Sequence, residues 1–381
     1  MLLIKNCKII FFDKIEEGSI LIENGKIKAI NPENNIDCET VDAMGLYLSP
    51  GFIDVHIHGA GGHDTMDGTY DAINEISKTI VQHGTTSFLP TTMTVSTDDI
   101  SKSIEAITYA KNNGTDGANV IGVHLEGPFI SSKMIGAQNP NFILEPTINN
   151  FKKIVGENID TVTAITIAPE VDGAKELISF LKENDIAVSM GHTNANYSEA
   201  IEGIKAGVSH STHLFNAMTP FHHREPGVVG SIFDTDITTE TISDGIHIAY
   251  PSLRSAYKIK GINKVLLVSD AMMACCMPDG DYSLGGQEVI VKNGAARLRN
   301  GALAGSILTL DKAVKNVKNN TSYPLYEIIR MASYNAAKHC KVEDTKGLIQ
   351  EGYDADLLLF DEEINIKSVI VKGKVVFNKN I

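Results

Sequence analysis

Cysteine is scarce in this sequence, and the few cysteines show no recognisable pattern. The chain has five: Cys7, Cys38, Cys275, Cys276 and Cys340. Their number is odd and no two have the Cys-x-x-Cys spacing, so neither a disulfide framework nor a zinc knuckle is expected. Cys275 and Cys276 are adjacent, and adjacent cysteines rarely pair, so we interpret them as ordinary thiols. This cysteine content favours a reducing, cytoplasmic location.

An excess of positive charge is also missing. The net charge is −14, whereas broad binding to nucleic acid or to an anionic membrane needs a basic surface. Both function classes are therefore disfavoured. A small anionic substrate stays open, but it would need a local cluster of cations.

Long apolar runs and low-complexity segments are absent as well. No run reaches the roughly 20 residues that span a bilayer. The apolar N-terminal stretch is broken by Lys5 and Lys8 and precedes no small-residue cleavage site, so no signal peptide is expected. What is present is a globular composition, 43% hydrophobic and 21% charged over 381 residues. That length suits one α/β barrel with a smaller attachment.

Both ends of the chain carry short apolar runs typical of β-strands. They are residues 2–4, 7–12, 19–22 and 26–30, then 356–360, 368–371 and 374–377. Asn24-Gly25 and Lys372-Gly373 supply turns between neighbouring runs. Neither end can bury a sheet by itself. Residues 1–50 and 350–381 are therefore predicted to form one small β-sandwich domain, with a barrel of residues 51–349 inserted between them.

The middle of the chain alternates apolar strands with amphipathic helices. Repeated strand–helix units give a parallel sheet, and eight of them close a barrel. The predicted fold class is therefore α/β, a (β/α)₈ TIM-like barrel. Its predicted strands are 52–56, 86–89, 120–125, 163–168, 187–190, 208–212, 239–243 and 265–269, and its clearest helices are 70–81, 100–111, 174–183, 198–205 and 252–260.

Residue types that bind metals stand at the ends of four of these strands. His56 and His58 end the first strand, Glu126 the third, His192 the fifth and His213 the sixth. The carboxyl ends of parallel barrel strands share one rim, where barrel active sites are built. Imidazole and carboxylate are the usual ligands of Zn²⁺ and similar ions. A single histidine is more often structural, but this set predicts a divalent metal site.

Local sequence around these residues agrees with that role. Alternate residues of a strand point to the same side, so both rings of His56-Ile57-His58 can reach one ion. Glu126 lies in the apolar segment HLEGPF, where a carboxylate is costly unless it is paired or metal-bound. His210 is predicted to face away from the ligands as a packing or supporting group. A structural or supporting role is also predicted for His63 and His83.

Asp270 ends the eighth strand and should reach the same rim. A carboxylate there could cap the segment that follows. Beside a metal site it could instead accept a proton from water and return it to a leaving group, which is the role we predict.

Cationic side chains follow the sixth and seventh strands. Arg224 lies in the segment Phe221-His222-His223-Arg224-Glu225, and His247 follows the seventh strand. A guanidinium fork with imidazoles suits a phosphate. The alternative is a solvated loop with incidental histidines.

Taken in order, these motifs resemble the amidohydrolase superfamily, and within it the family of N-acetylglucosamine-6-phosphate deacetylases. The resemblance rests on PGFIDVHIHG at 50–59, HLEGPF at 124–129, GHT at 191–193 and HLFNAM at 213–218. SDGIH at 243–247, SDA at 269–271 and LAGS at 303–306 complete it. The match covers nearly the whole chain, and HLFNAM with HLEGPF is far more specific than paired histidines.

The resemblance implies a reaction, namely hydrolysis of the acetamide of N-acetylglucosamine 6-phosphate to glucosamine 6-phosphate and acetate in amino-sugar catabolism and recycling. Glu126, His192 and His213 would bind the principal metal, and Asp270 would be the catalytic acid and base. Zn²⁺ is the first expectation, with Fe²⁺, Mn²⁺ and Co²⁺ as alternatives. Because His56 and His58 are both kept, a second ion bridged through Glu126 stays open.

The resemblance also implies contacts with substrate and with a second subunit. A homodimer is expected, in which the Arg224 loop serves its own site or that of its neighbour. Substrate contacts are expected from Ala137, Gln138, Asn216, Ala217, Arg224, His247, Leu303, Ala304, Gly305 and Ser306.

Alternative functions within and outside this fold are distinguishable. Dihydroorotases and hydantoinases bridge two metals with a carboxylated lysine on the fourth strand, but residues 163–168 contain no lysine, so Glu126 would take that place. A hydrolase of another amide, such as an N-acyl-D-amino acid, should lack Arg224 and His247. A non-catalytic barrel should have lost ligands or Asp270. A deaminase would attack an aromatic amidine.

Overall fold

Eight β/α units in the middle of the chain form a parallel barrel. The computed structural model describes residues 1–33 and 37–379, and its barrel strands pair in the order of the sequence. The predicted fold class is confirmed. A short additional strand, Asn119–Val120, pairs with the second barrel strand. The barrel strands are Phe52–Ile57, Thr85–Thr92, Val123–Glu126, Val162–Ile167, Ala187–Met190, His210–Ser211, Thr238–Ile242 and Val265–Val268.

The barrel closes between its first and eighth strands. The backbone N–H of Asp270 donates to the carbonyl of His56 at 2.8 Å, and that of His58 donates to the carbonyl of Ala271 at 2.8 Å. Three residues that the sequence predicts to be functional therefore sit at the seam. Closure itself brings the first strand's histidines next to Asp270.

Helices cover the outside of the barrel because one face of each is apolar. In Tyr70–Val81 the buried residues Ile73, Ile76 and Ile80 recur at helical spacing, and the Thr69 hydroxyl caps the start. Among the described residues, no helix has the length and apolar content needed to cross a membrane. The α-helices are Tyr70–Val81, Thr97–Asn113, Ile148–Val155, Ala174–Glu183, Tyr197–Ala206, Gly227–Asp234, Tyr250–Lys260, Leu310–Asn320, Leu325–Ala332 and Tyr334–His339.

The two ends of the chain meet in one eight-stranded sheet. Tyr47–Pro50, near the N-terminus, pairs antiparallel with Leu357–Phe360, near the C-terminus. Residues from both ends, including Leu48 and Leu357, share an apolar core separate from that of the barrel. We propose 1–50 with 350–381 as the limits of this domain. Its strands are Leu2–Ile10, Ile15–Glu23, Lys26–Ile30, Glu39–Asp42, Tyr47–Pro50, Leu357–Phe360, Ile366–Val371 and Lys374–Asn378.

A three-stranded antiparallel sheet between the eighth barrel strand and the next helix was not predicted from the sequence. Its strands are Gly280–Leu284, Gln287–Lys292 and Ala295–Leu298. Only a few of its residues, such as Val289 and Val291, are buried, and they pack near Met93 and Met272. With so short an apolar pattern, the sequence gives little signal of strands here.

Removing residues 357–381 should destabilise the whole protein. The strand Leu357–Phe360 is fully buried, and its loss would expose the edge of Tyr47–Pro50 and the apolar core beneath it. Because domains are stable by only about 5–15 kcal/mol, we expect aggregation or a large drop in the urea midpoint. Hydrogen exchange should show faster exchange in Leu2–Ile10. The control is Lys374→Ala, an exposed change in the same segment, and a soluble, fully active truncation would contradict the proposed domain.

Candidate metal centre

The carboxylate of Glu126 lies at the centre of a group of histidines. Glu126 ends the third barrel strand and is 1% exposed. Its Oε1 atom lies 3.0 Å from His213 Nε2 and 3.1 Å from His192 Nε2. His56 Nε2 lies 3.5 Å from the same oxygen, and His58 Nε2 lies 3.2 Å from Oε2. The structure therefore brings together all five residues that the sequence predicts as metal ligands.

The outer nitrogens of three of these rings are held by backbone carbonyls. A carbonyl only accepts hydrogen bonds, so each Nδ1 must carry the proton, and the Nε2 of the neutral ring is left with a lone pair facing Glu126. The pairs are His58 with Thr91 at 3.2 Å, His192 with Met134 at 3.0 Å and His213 with Asn216 at 3.2 Å.

The Nε2 atoms that face Glu126 are arranged to bind a cation rather than to hydrogen-bond with one another. The Nε2 atoms of His192 and His213 lie 3.2 Å apart, and the buried Nε2 of His56 has no hydrogen-bond partner among the described residues. Lone pairs so close to each other and to a carboxylate repel unless positive charge lies among them. Two sets share Glu126, one with His192 and His213 and one with His56 and His58, and in each the ligand atoms lie within 4.8 Å of one another. Imidazole and carboxylate donors of this kind hold divalent metals.

Contacts between carboxylates and imidazoles set the charge of the site. Burial alone would raise the pKa of Glu126, but His56 and His192 hold it well below its usual value. Burial also opposes protonation of His58, yet hydrogen bonds to Asp270 and Glu126 raise its pKa to about 9. The carboxylates thus draw protons onto the rings. A divalent cation would supply that positive charge instead and release the protons.

Glu240 on the seventh barrel strand supports this group, and sequence reasoning missed it. It is 1% exposed, and its Oε2 accepts from His56 Nδ1 at 2.9 Å and from the His213 backbone N–H at 3.0 Å. His210 Nε2 lies 3.4 Å from Oε1, in the supporting position predicted for it. Burial would raise the pKa of Glu240, but His56 and His210 hold it well below its usual value. The available signal was a lone carboxylate inside a strand, which needs a buried partner.

Asp270 lies at the rim beside the histidines of the first strand. Its Oδ1 atom is 3.3 Å from His58 Nε2 and 3.5 Å from His56 Nε2. Its carbonyl accepts from the Ser306 N–H at 2.7 Å, and the Ser306 hydroxyl donates to the carbonyl of Ser269 at 2.6 Å. Ser306, predicted as a substrate contact, therefore holds the backbone that carries Asp270.

Two of the predicted metal ligands and Asp270 have a left-handed backbone. The φ angles are 47° for His192, 26° for His213 and 48° for Asp270. Non-glycine residues rarely adopt this region, and such strain persists mainly where function requires it. With this backbone, the side chains of His192 and His213 reach Glu126, and that of Asp270 reaches His58.

A cavity of about 260 Å³ opens above this group. Four predicted site residues do not line it: His56, Ala304 and Ser306, which are buried, and Arg224, which is exposed. Sequence reasoning did not predict Met93, Gly136, Leu284 or Ala302, which also line it. The predicted site residues that line it are His58, Glu126, Ala137, Gln138, His192, His213, Asn216, Ala217, His247, Asp270, Leu303 and Gly305.

Two polar residues of the wall are fixed by neighbours. His247 donates from Nδ1 to Asp244 Oδ2 at 2.7 Å, which sets the orientation of its ring. Gln138 donates to Glu126 Oε2 at 2.6 Å, while its own oxygen accepts from the Thr94 N–H at 2.7 Å. Gln138 thus lines the cavity and also orients the central carboxylate.

Arg224 stands on an exposed turn, where its guanidinium donates to His223 Nε2 at 2.7 Å. The adjoining Phe221 and the nearby Ile259 are each 57% exposed. Both line a groove that also contains His247, a residue shared with the cavity. The Arg224 turn therefore lies beside an exposed apolar groove, and that groove shares His247 with the cavity.

Comparisons with known proteins agree with this site. A model of the amidohydrolase family matches residues 47–376. An N-acetylglucosamine-6-phosphate deacetylase of Lysinibacillus sphaericus is 40% identical, with 96% of this chain and 95% of that protein covered. The resemblance found in the motifs is thereby confirmed.

Solved structures give the same result. That of N-acetylglucosamine-6-phosphate deacetylase from Pasteurella multocida superposes with a TM-score of 0.93 at 31% identity, covering 98% of this chain and 99% of that one. A mutant of the Mycobacterium smegmatis enzyme in complex with N-acetyl-D-glucosamine-6-phosphate has a TM-score of 0.92 at 27% identity, covering 99% of both chains. On its matched length, its motifs and its fold, the chain belongs to the amidohydrolase family.

Proposed function

We propose that this chain hydrolyses the acetamide of N-acetylglucosamine 6-phosphate to glucosamine 6-phosphate and acetate. One observation carries the proposal: five ligand-type side chains and Asp270 converge at the mouth of the barrel, and four of those ligands line one cavity together with Asp270. The names of the relatives and the sugar phosphate in the Mycobacterium complex support the choice of substrate. The direct test is acetate release from this sugar phosphate, compared with an N-acetyl-D-amino acid.

We infer a divalent cation, with Zn²⁺ as the first candidate. Glu126, His192 and His213 would hold it, and His56 with His58 form a second set on the same carboxylate. When bound, such an ion acts as a Lewis acid that acidifies water and polarises a carbonyl. The remaining work falls to the side chains of the cavity wall.

Asp270 is suited to move the proton of the reaction. Its carboxylate lines the cavity, and hydrogen bonds on both sides of its backbone fix its position. It would accept a proton from the attacking water and then deliver that proton to the amide nitrogen, because an amine leaves poorly as an anion. His56 and His58 hold the pKa of Asp270 below its usual value although burial raises it, so the carboxylate starts in the basic form.

The sugar phosphate would be held by the remainder of the wall. Asn216, Ala217, His247, Leu303 and Gly305 line the cavity and would contact the sugar ring or its phosphate. Arg224 lies outside the cavity of its own chain, so we propose that it acts from a neighbouring subunit in a homodimer. The exposed apolar groove beside the Arg224 turn supports such an interface. A cytoplasmic location, favoured by the free cysteines, completes the proposal.

His192→Ala and His213→Ala should lose bound metal and activity together. Each ring supplies one of the few donors around Glu126, so its removal leaves the ion poorly held. Metal content by mass spectrometry and acetate release are the two measurements. His222→Ala, on an exposed turn, is the matched control and should keep its metal. Full metal content in either ligand variant would contradict the assignment.

Asp270→Asn should keep its metal but lose turnover. The amide preserves size and one acceptor oxygen but cannot carry the proton, and loss of a general acid or base typically costs about 10²–10⁴-fold in rate. KM should change less than kcat. The control is Asp281→Asn, an exposed carboxylate on the sheet near the cavity. Near-normal kcat would assign the proton transfer to another group, and loss of metal would make Asp270 a ligand.

Arg224→Ala should impair the phosphorylated substrate far more than N-acetylglucosamine. A lost charge-assisted contact is worth about 1.5–3 kcal/mol, or roughly ten- to a hundredfold in kcat/KM. Arg299→Ala, an exposed arginine that does not line the cavity, provides the comparison. Equal losses on both substrates would rule out a role in phosphate binding.

Mixed dimers can tell whether Arg224 acts across the interface. The test uses a dimer of one Arg224→Ala subunit and one Asp270→Asn subunit. If the arginine comes from the neighbour, the Arg224→Ala subunit keeps its own Asp270 and receives an intact Arg224, so one site is complete. If the arginine acts in its own chain, neither site is complete. We expect recovery to about half of the wild-type activity per dimer. Recovery no greater than the sum of the two parent variants would place Arg224 in its own site.

A further inference from the structure

An exposed thiol stands outside the cavity in contact with a charged pair. Cys276 is exposed, and its Sγ atom lies 3.3 Å from His83 Nε2. The other nitrogen of that ring, Nδ1, lies 3.0 Å from Asp311 Oδ2. A thiol, an imidazole and a carboxylate in this order are the groups that convert sulfur to a nucleophile. None of the three lines the cavity with Glu126 and Asp270.

Two helix ends hold the imidazole and the carboxylate. His83 lies two residues after the end of the helix Tyr70–Val81, where the helix dipole favours positive charge. Asp311 lies in the first turn of Leu310–Asn320, where the dipole favours negative charge. Partial burial would lower the pKa of His83, but the bonds to Asp311 and Cys276 raise it to about 9. The ring is therefore an imidazolium that donates to both neighbours.

The adjacent cysteine completes the environment of the sulfur. Cys275 is buried, and its Sγ lies 3.8 Å from that of Cys276. The hydrogen bond from Cys275, together with His83 and Lys312, lowers the pKa of Cys276 to about 5. The hydrogen bond to Cys276 and burial raise the pKa of Cys275 well above its usual value. Of the two neighbouring thiols, the one at the surface therefore ionises more readily than the buried one beneath it.

We propose that Cys276, positioned by His83 and Asp311, is a covalent modification site for low-molecular-weight disulfides. The thiolate sulfur attacks one sulfur of the disulfide, forming a new sulfur–sulfur bond while the old one breaks. The departing half leaves as a thiolate and takes a proton from solvent. Cys276 is oxidised to a mixed disulfide, and half of the small disulfide is reduced to a thiol. The reaction needs no other oxidant.

The backbone of Cys276 agrees with a specialised position. Its φ angle is 66°, in the left-handed region that non-glycine residues rarely occupy. Cys275 is not the attacking group, because it is buried and its thiol lies 3.6 Å from the carbonyl of Leu308. The pair that the sequence suggested to be two ordinary thiols therefore has two different roles.

The loop that carries Cys276 is joined to the metal centre through its backbone. Gly61 donates to the carbonyl of Cys275 at 2.9 Å, and Gly62 donates to that of Met273 at 2.8 Å. The same loop begins at Asp270, and Ala271 accepts from the N–H of His58. A mixed disulfide that displaces this loop would shift His58 and Asp270 together, so modification should lower turnover.

The first test is the reaction of the native protein with the aromatic disulfide DTNB at pH 5.5. A thiol of ordinary pKa is about 0.1% ionised there, while Cys276 is mostly thiolate. A thiolate of low pKa is also a weaker nucleophile, which reduces the rate advantage from the larger ionised fraction by about thirtyfold. The expected labelling rate of Cys276 is then roughly twentyfold above that of a normal exposed thiol. Cys38, which is partly exposed, supplies the comparison in the same chain. Peptide mapping of wild type, Cys276→Ser and Cys38→Ser should place the fast label on Cys276.

The second test asks whether His83 and Asp311 create the reactivity. Between pH 6 and 8 the labelling rate of Cys276 should be nearly flat, whereas an ordinary thiol gains almost tenfold per pH unit. The groups facing the sulfur are Cys275, His83 and Lys312, with Asp311 behind the ring. His83→Gln should steepen the dependence, because it removes one of the contacts that lower the pKa of Cys276, and Asp311→Asn should steepen it less. Faster labelling of Cys38 than of Cys276, or an unchanged flat profile in His83→Gln, would overturn the proposal.

A third measurement tests the link to the metal centre, and this part rests on the proposed deacetylase function. Oxidised glutathione is added until mass spectrometry shows one adduct on Cys276, and acetate release is then assayed. Activity should fall severalfold, return with dithiothreitol and stay unchanged in treated Cys276→Ser. Full modification with full activity would refute the link. Failure to form any adduct would refute the site itself, whatever the activity.

Discussion

Burial of the Glu126 carboxylate is the constraint on which the rest of the site depends. An unpaired charge at that depth would cost several kcal/mol, so the surrounding strands must supply positive charge or donors. Rings from three strands face it, and Gln138 donates to its second oxygen. Glu240 then holds the ring of His56 from the other side. The histidines, Gln138 and Glu240 together compensate the cost of burying this one carboxylate.

The sequence predicts the part of this arrangement that follows from strand topology. His56, His58, Glu126, His192 and Asp270 could be placed together because the ends of parallel strands share one rim. Contacts made by backbone atoms cannot be predicted in this way, because they do not depend on the type of residue. The carbonyls of Thr91, Met134 and Asn216 that orient the rings, and the left-handed turns at His192 and Asp270, depend on the three-dimensional course of loops that no residue type encodes.

Other differences between the sequence predictions and the structure also have specific causes. Glu240 was missed because it lies inside a strand rather than at its end. The sheet of residues 280–298 was missed because few of its side chains are buried. The hydroxyl and N–H of Ser306 bind the backbone around Asp270, a role that the motif did not indicate, and its contact with substrate stays a prediction. A motif identifies which residues belong to a site without saying which ones touch the substrate and which ones hold its neighbours.

The pairing of Tyr47–Pro50 with Leu357–Phe360 sets an order of events while the chain is being made. The N-terminal strands leave the ribosome first, and their partner follows about 300 residues later, which is roughly 15–60 s at ordinary rates of synthesis. Throughout that interval the edge of Tyr47–Pro50 is unpaired and open to other strands. The whole barrel is therefore synthesised before the terminal sheet can be completed. The C-terminal strands, which are made last, pair with the strand edge that the N-terminal strands leave exposed.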